Sequence, residues 1–269
     1  MRFFIGLAAA CLVATAAVAV PEAEAGNDSA RIWPQGAHWE AFLREARVTG
    51  TEEIGIGVTE SDRVTLELEG ETRQAIFKKY HREHDSWRRE VAAYELDKLI
   101  GLGMVPPTVE RRLKGRTGCL QLWVEGEMMA DWTGVPDDLE SWRRQVSAMW
   151  LFDYLTANAD RHINNALVAK GPRLVLIDNS RAFKTYDGVV AGIDEARGGT
   201  RARFWLTQYD ENRERFETRY DDDLIENLRA LDKESLKRAI GRYIDANERR
   251  ALLERRDRIL QQIEGFRAR

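Results

Sequence analysis

Cysteine is scarce: the 269 residues contain two, Cys11 and Cys119. Cys11 sits inside an apolar leader, so the chain left after leader removal holds Cys119 alone and cannot form an intramolecular disulfide. Stability must then come from a buried core, for which the eight tryptophans and many Leu, Ile and Val residues supply the material. Net charge is small as well. The formal value of −4 becomes −3 when Arg2, Glu22 and Glu24 leave with the leader, which excludes a nucleic-acid binder held by bulk positive charge. Past Val20 no stretch is apolar enough to cross a bilayer. Internal repeats and low-complexity tracts are absent too, which excludes solenoids and linker-like arrays.

The leader itself has the composition of an export signal. Arg2 supplies the charge, Phe3 to Val20 are apolar, and Ala23-Glu24-Ala25 ends the segment with small-residue spacing. Residues 1–25 are thus expected to be removed and 26–269 exported to a periplasmic, extracellular or secretory-lumen location. Membrane attachment follows only if the segment stays uncleaved, since a run of that length just suffices to span a bilayer.

Residues 26–37, with Gly26, Asn27, Ser29, Pro34 and Gly36, read as a polar spacer. Trp39, Phe42, Leu43 and Ala46 then recur at helical spacing. From Glu53 the period shortens to two: Ile54, Ile56 and Val58 alternate, as do Val64, Leu66 and Leu68, and Ala75-Ile76-Phe77 continues a third strand. Trp87, Val91, Tyr94, Leu96, Leu99 and Ile100 predict a helix from about Ser86 to Ile100, ended by Gly101, Gly103 and Pro106-Pro107. Strands over Thr108 to Leu113 and Cys119 to Val124 complete an N-terminal half, residues 38–124. In residues 125–269 a helix follows Asp137-Asp138, a hairpin turns at Gly171-Pro172, and the tail is helical. Trp123, Trp142 and Trp150 are assigned to the core. His81 and His84 form a weak zinc pattern with no cysteine near them.

Chemistry concentrates in Asn158-Ala159-Asp160-Arg161-His162-Ile163-Asn164-Asn165 and in Ile177-Asp178-Asn179-Ser180. Phosphoryl transfer needs one carboxylate near the acceptor hydroxyl, and an amide with a second carboxylate to hold the metal ions that neutralise the phosphates. Asp160, Asn165 and Asp178 fit those roles. The hairpin between Leu167 and Ile177 would bring Asn165 and Asp178 side by side.

Read in order, Ala75-Ile76-Phe77-Lys78, Arg89-Glu90-Val91, Val105-Pro106-Pro107-Thr108, Leu120 to Gly126, Ala159-Asp160-Arg161-His162 and Ile177-Asp178-Asn179 form a familiar series. It resembles the atypical kinases of the secretory pathway (the Golgi casein kinase family) and the phosphatidylinositol 3/4-kinase-like group with the type II phosphatidylinositol 4-kinases. HipA toxin kinases share the plan more distantly. The resemblance implies an α+β, two-lobed protein-kinase-like fold: a small antiparallel-sheet lobe with one main helix, then a mostly helical lobe. It makes Lys78 the strand lysine on the nucleotide phosphates and Glu90 its helix partner. Lys79, on the opposite strand face, is the fallback. Gly55 and Gly57 fall where such kinases place a loop over the phosphates. Leu122 to Val124 fall where their backbone contacts adenine. Ser180 departs from the family's Asp-Asn-Gly, stiffening the segment after Asp178.

The resulting expectation is an exported, ATP-dependent phosphotransferase that uses Mg or Mn and moves the gamma-phosphoryl group to a hydroxyl, chiefly protein Ser/Thr. Three alternatives stay open: a lipid or small-molecule acceptor, a catalytically silent nucleotide-binding module, and transfer of AMP through the same fold.

Overall fold

A computed structural model describes residues 33, 36–54, 61–80, 85–158, 160–185 and 220–267. The export segment, most of the spacer, Gly55, Gly57, His81 and His84 lie outside these residues. Element order is α1 (Gly36–Glu45), β1 (Arg47–Ile54), β2 (Ser61–Leu68), β3 (Glu71–Lys78), α2 (Trp87–Ile100), β4 (Thr108–Leu113), β5 (Arg116–Leu122), β6 (Glu127–Met128), α3 (Leu139–Thr156), β7 (Ala166–Ala169), β8 (Arg173–Leu176), then α4 (Asp222–Ala230), α5 (Lys233–Ile240) and α6 (Ala246–Arg267).

The first five strands form an antiparallel sheet in the order β1-β2-β3-β5-β4. Alternation sends Val64, Leu66, Ala75, Phe77, Leu120 and Leu122 to one face, where they bury against Phe42, Leu43 and Ala46 at the end of α1. Two bounds differ from expectation. Helix α1 opens at Gly36, inside the stretch read as spacer, and the first strand runs from Arg47 rather than Glu53. Strand β1 is a polar edge with a register shift between Val48 and Gly50, so its sequence carries no clean period of two.

Helix α2 is the pivot of the molecule. Ser86 caps its start by accepting from Arg88 N–H, and Gly101, at φ 70°, ends it in the left-handed conformation that glycine adopts without strain. Nine of its fourteen residues are buried, because two bodies cover it. Trp87 and Val91 pack on Cys119 of β5, while Tyr94, Leu96 and Ile100 join the large core built by α3, the β7–β8 hairpin and the tail helices. A helix covered all round reads as weakly amphipathic. In its last turn, the buried Asp97 carboxylate accepts from the N–H groups of Gly103 (2.9 Å), Met104 (2.8 Å) and Val105 (2.8 Å), which satisfies a loop that would otherwise bury bare donors.

In the second half, Asp138 caps α3 through Glu140 and Ser141 N–H. β7 and β8 form the expected hairpin, joined by the two-residue strand β6 into a three-stranded sheet in the order β6-β7-β8. Trp142 is buried in the core and Trp150 packs at its edge. Trp123 is a correction: it is half-buried, its ring under the Arg63 guanidinium at 4.2 Å and its N–H donated to Glu125 (2.8 Å). Among the described residues no helix is long and apolar enough to cross a membrane.

Helix α1 is pinned to α2 by Glu40, which takes Lys98 Nζ at 2.6 Å and the Tyr94 hydroxyl at 3.1 Å. Burial pushes the Glu40 carboxyl up, but the Lys98 ammonium, together with Tyr94 and Arg44, more than offsets it, so the group sits below its ordinary value of 4.5. A depressed carboxyl stabilises above its unfolded-state value, and that contribution fades as pH falls through the folded-state one. Urea unfolding of wild type and Glu40→Gln is therefore expected to differ at pH 7 and to converge towards pH 3; a gap that persists at pH 3 would count against the ion pair.

Candidate active site

Between the five-stranded sheet and α3 lie the residues singled out by chemistry. β3 ends on Lys78, which is buried, and its Nζ lies 2.5 Å from Glu90 Oε1 on α2. Glu90 is fully buried, and its second oxygen accepts the Asn179 N–H at 3.1 Å. Burial alone would strip the Lys78 charge. The neighbouring Glu90, with Tyr80 and Asp178 nearby, more than reverses this and raises the ammonium above its ordinary value. Lys79 points to the other face and pairs with Asp62 at 3.1 Å, so the strand offers one lysine to the cleft. Across from Lys78, β5 runs so close that a side chain at Gly118 would collide with the Lys78 carbonyl.

On the opposite wall, the chain leaves α3 through Ala157 in left-handed conformation (φ 49°) and enters the Asp160 loop. Arg161 organises that loop from beneath. Its Nε makes a paired contact with Asp153 on α3 (3.1 and 3.0 Å), Nη1 donates to the carbonyls of Asn165 and of Ile177 (2.6 Å for the latter), and Nη2 donates to Asn179 Oδ1 (2.7 Å). One buried guanidinium thus ties together α3, the Asp160 loop and the segment that carries Asp178. Asn158 assists: its amide reaches Asp153 (3.4 Å) and its oxygen takes Asp160 N–H (3.3 Å).

Asn165 and Ile177 face each other across the mouth of the β7–β8 hairpin, with Ile177 N–H donated to Asn165 O at 3.2 Å, so Asn165 and Asp178 come from adjoining backbone. The Asn165 amide donates to the Asp160 carbonyl (2.9 Å), leaving its Oδ1 without a partner among the described residues. Asp178, at φ 54°, turns the chain off β8 and toward α2. One of its oxygens accepts from Ser180 Oγ (3.1 Å), and the other has no described partner.

One carboxylate oxygen and one amide oxygen, both hard donors, suit Mg or Mn, which keep much of their shell for water and phosphate. Among the described residues no group of three or more His, Cys, Asp or Glu forms an all-protein metal cage. Two oxygens would leave most of such an ion's shell to water or phosphate oxygens. Among the residues expected beside adenine, Leu122 donates its N–H to Pro107 O (2.9 Å) and keeps its side chain in the sheet core, and Trp123 donates its N–H to Gln74 O (3.0 Å). Of Leu122 to Val124, Val124 is left with a backbone N–H outside those bonds.

Asp85 and Arg181 join this cluster without having stood out in the sequence, and Ser180, noted there only as a departure from glycine, contributes its hydroxyl. Asp85, just before the α2 cap, accepts from Arg181 Nε (2.6 Å) and Ser180 Oγ (3.3 Å), and Arg181 Nη1 lies 3.2 Å from Asp160 Oδ1. Only the fold brings 85, 160 and 181 together, so no local spacing announces them.

No protein-family model matches the chain, and no curated protein matches it. Solved structures do. The Golgi casein kinase aligns with a TM-score of 0.56 at 12% identity, over 86% of this chain and 76% of that one. A structure of the Golgi casein kinase with Mn and ADP bound gives 0.56 at 13% identity, over 85% and 75%. Fam20 of hydra, solved with sugar, gives 0.56 at 13% identity, over 84% and 87%. Identities this low speak to the fold, and that fold is kinase-like: an antiparallel sheet with helices in an α+β arrangement. Two of these neighbours are the Golgi casein kinase, and none of the three supports the phosphatidylinositol-kinase side of the resemblance.

Proposed function

We propose that this protein is an exported ATP-dependent phosphotransferase that moves the gamma-phosphoryl group to a hydroxyl, with protein Ser/Thr as the foremost acceptor. The observation that carries the reading is the buried Lys78–Glu90 pair at 2.5 Å, bonded onward to the backbone beside Asp178. Desolvation can exceed the Coulombic return of a buried charge pair, so stability alone is a weak reason for it, and a fixed ammonium facing a carboxylate–amide pair suits a polyphosphate.

Lys78 would hold the nucleotide phosphates, with Glu90 fixing its direction. Asn165 and Asp178 would hold Mg or Mn, whose part when bound is to offset the negative charge of the transferring phosphates. Asp160 orients the acceptor hydroxyl and takes its proton as the new O–P bond forms; the bond to the leaving oxygen of ADP breaks and ADP carries away the electron pair. Val124 would meet adenine through its backbone. Gly55 and Gly57 would close over the phosphates. Mn and ADP on the Golgi casein kinase neighbour support the nucleotide and the metal, and the export-type leader supports a location outside the cytoplasm.

The test uses residues 26–269 incubated with gamma-labelled or alpha-labelled ATP and Mn, beside Asp160→Ala and Asp178→Ala. Label from the gamma position alone, reduced about 10²- to 10⁴-fold in both variants, is the expected result. Label from the alpha position would replace the reading with AMP transfer, and no label from either would replace it with a silent nucleotide-binding module.

A further inference from the structure

We infer that Asp85 is a positioning residue that sets both halves of this site at once, the metal-side carboxylate of Asp178 through Ser180 and the acceptor-side carboxylate of Asp160 through Arg181. The inference rests on the phosphotransferase reading and adds to it three residues with no role there.

Asp85 lies in the short connection between β3 and α2, next to the cap residue Ser86, and its side chain is 16% exposed. Burial raises its carboxyl, but the Arg181 guanidinium overrides that and holds it ionised, below its ordinary value. Its oxygens take Arg181 Nε at 2.6 Å, Arg181 Nη2 at 3.4 Å and Ser180 Oγ at 3.3 Å. The backbone reinforces the join, with Ser86 N–H donated to Ser180 O at 3.1 Å.

From this hub two arms leave. Ser180 Oγ also lies 3.1 Å from Asp178 Oδ1. A hydroxyl has one proton, so Ser180 donates to Asp178 or to Asp85 at any instant. Asp85 and Asp178 thus hold the Ser180 hydroxyl between them, which fixes Asp178 Oδ1 and leaves its second oxygen for a metal. A glycine at 180, as in the family pattern, could not do this. In the other arm, Arg181 is clamped by Asp85 and sets Nη1 3.2 Å from Asp160 Oδ1. A clamped guanidinium fixes the direction of that carboxylate and offsets its charge as a phosphoryl group approaches. Through Asp85, both arms are anchored to the start of α2, the helix that carries Glu90.

The arms separate experimentally. Mn affinity in the presence of ADP is read by the electron paramagnetic resonance of free Mn, and turnover by phosphate release from ATP with water as acceptor. Ser180→Ala is expected to weaken Mn about tenfold or more, with Ser180→Thr restoring it. Arg181→Met is expected to lower kcat about tenfold or more with Mn affinity changed less than twofold, and Arg181→Lys to recover part of the loss. Asp85→Asn is expected to do both while its melting temperature stays near wild type. Asp85→Asn equal to wild type in both readouts, or loss of Mn affinity through Arg181→Met as large as through Ser180→Ala, overturns the inference alone. A wild-type protein that binds no Mn in the presence of ADP overturns the phosphotransferase reading and this inference with it.

Discussion

Replacing Arg161 with alanine is expected to destabilise the protein by about 3–5 kcal/mol, the scale for removing one partner of a buried ion pair. The side chain is almost wholly enclosed, and it satisfies Asp153, two backbone carbonyls and Asn179 together. Its loss leaves an uncompensated carboxylate at the C-terminal end of α3 and unpaired acceptors under the Asp160 loop and the segment that carries Asp178. For a chain of this size that corresponds to a fall in melting temperature of roughly 6–20 °C. Arg161→Lys should recover little, since a single ammonium cannot reach four separate acceptors. Asp153→Asn should be milder than Arg161→Ala, because an amide still offers one oxygen to the guanidinium. Thermal unfolding followed by circular dichroism checks all three; an Arg161→Ala protein within about 1 kcal/mol of wild type would mean that the hub is dispensable.

The second large effect concerns Lys78. Lys78→Met keeps the length of the side chain and removes the charge, and is expected to lower gamma-phosphoryl transfer at least about 100-fold, the scale for removing one preorganised charge-stabilising group. It also strands Glu90 as a buried carboxyl whose remaining contact is the Asn179 N–H. Adding Glu90→Gln should therefore restore stability lost in Lys78→Met without restoring transfer, since a neutral amide is less costly to bury than an unpaired carboxylate. A double-mutant cycle read by urea unfolding measures that coupling. If Lys78→Met and the double variant unfold alike, the pair does not couple; if Lys79→Met rather than Lys78→Met loses transfer, the assignment along β3 is inverted.

Much of this arrangement was legible because its signals are short-ranged. The Asp160-to-Asn165 spacing, the hairpin with Gly171, the Ser86 start and Gly101 stop of α2, and the opposite faces of Lys78 and Lys79 all follow from local geometry. The Lys78–Glu90 partnership came from the resemblance, and in the fold the two are in contact. What could not be read was contact between distant segments with no pattern of their own. Arg161 showed itself only as an ion-pair former, because its acceptors come from α3, the Asp160 loop and the end of β8. Asp85 and Arg181 meet over 96 positions of chain. Elsewhere local signals were weak or misdirecting: β1 is a charged edge strand, β6 spans two residues, and Trp123, apolar by type, lies against Arg63 outside the core.

The central claim, that Lys78 and Glu90 face Asn165 and Asp178 across a site for a metal–nucleotide complex, is tested most directly by the melting temperature of residues 26–269 with ADP and Mn together and apart. At about 100 times the dissociation constant, binding to the native state alone stabilises by about 2.7 kcal/mol, roughly 5–10 °C here. The predicted result is a rise of that order that needs both ligands and disappears in Lys78→Met and in Asp178→Ala. No rise in the wild-type protein, or a rise that both variants retain, would contradict it.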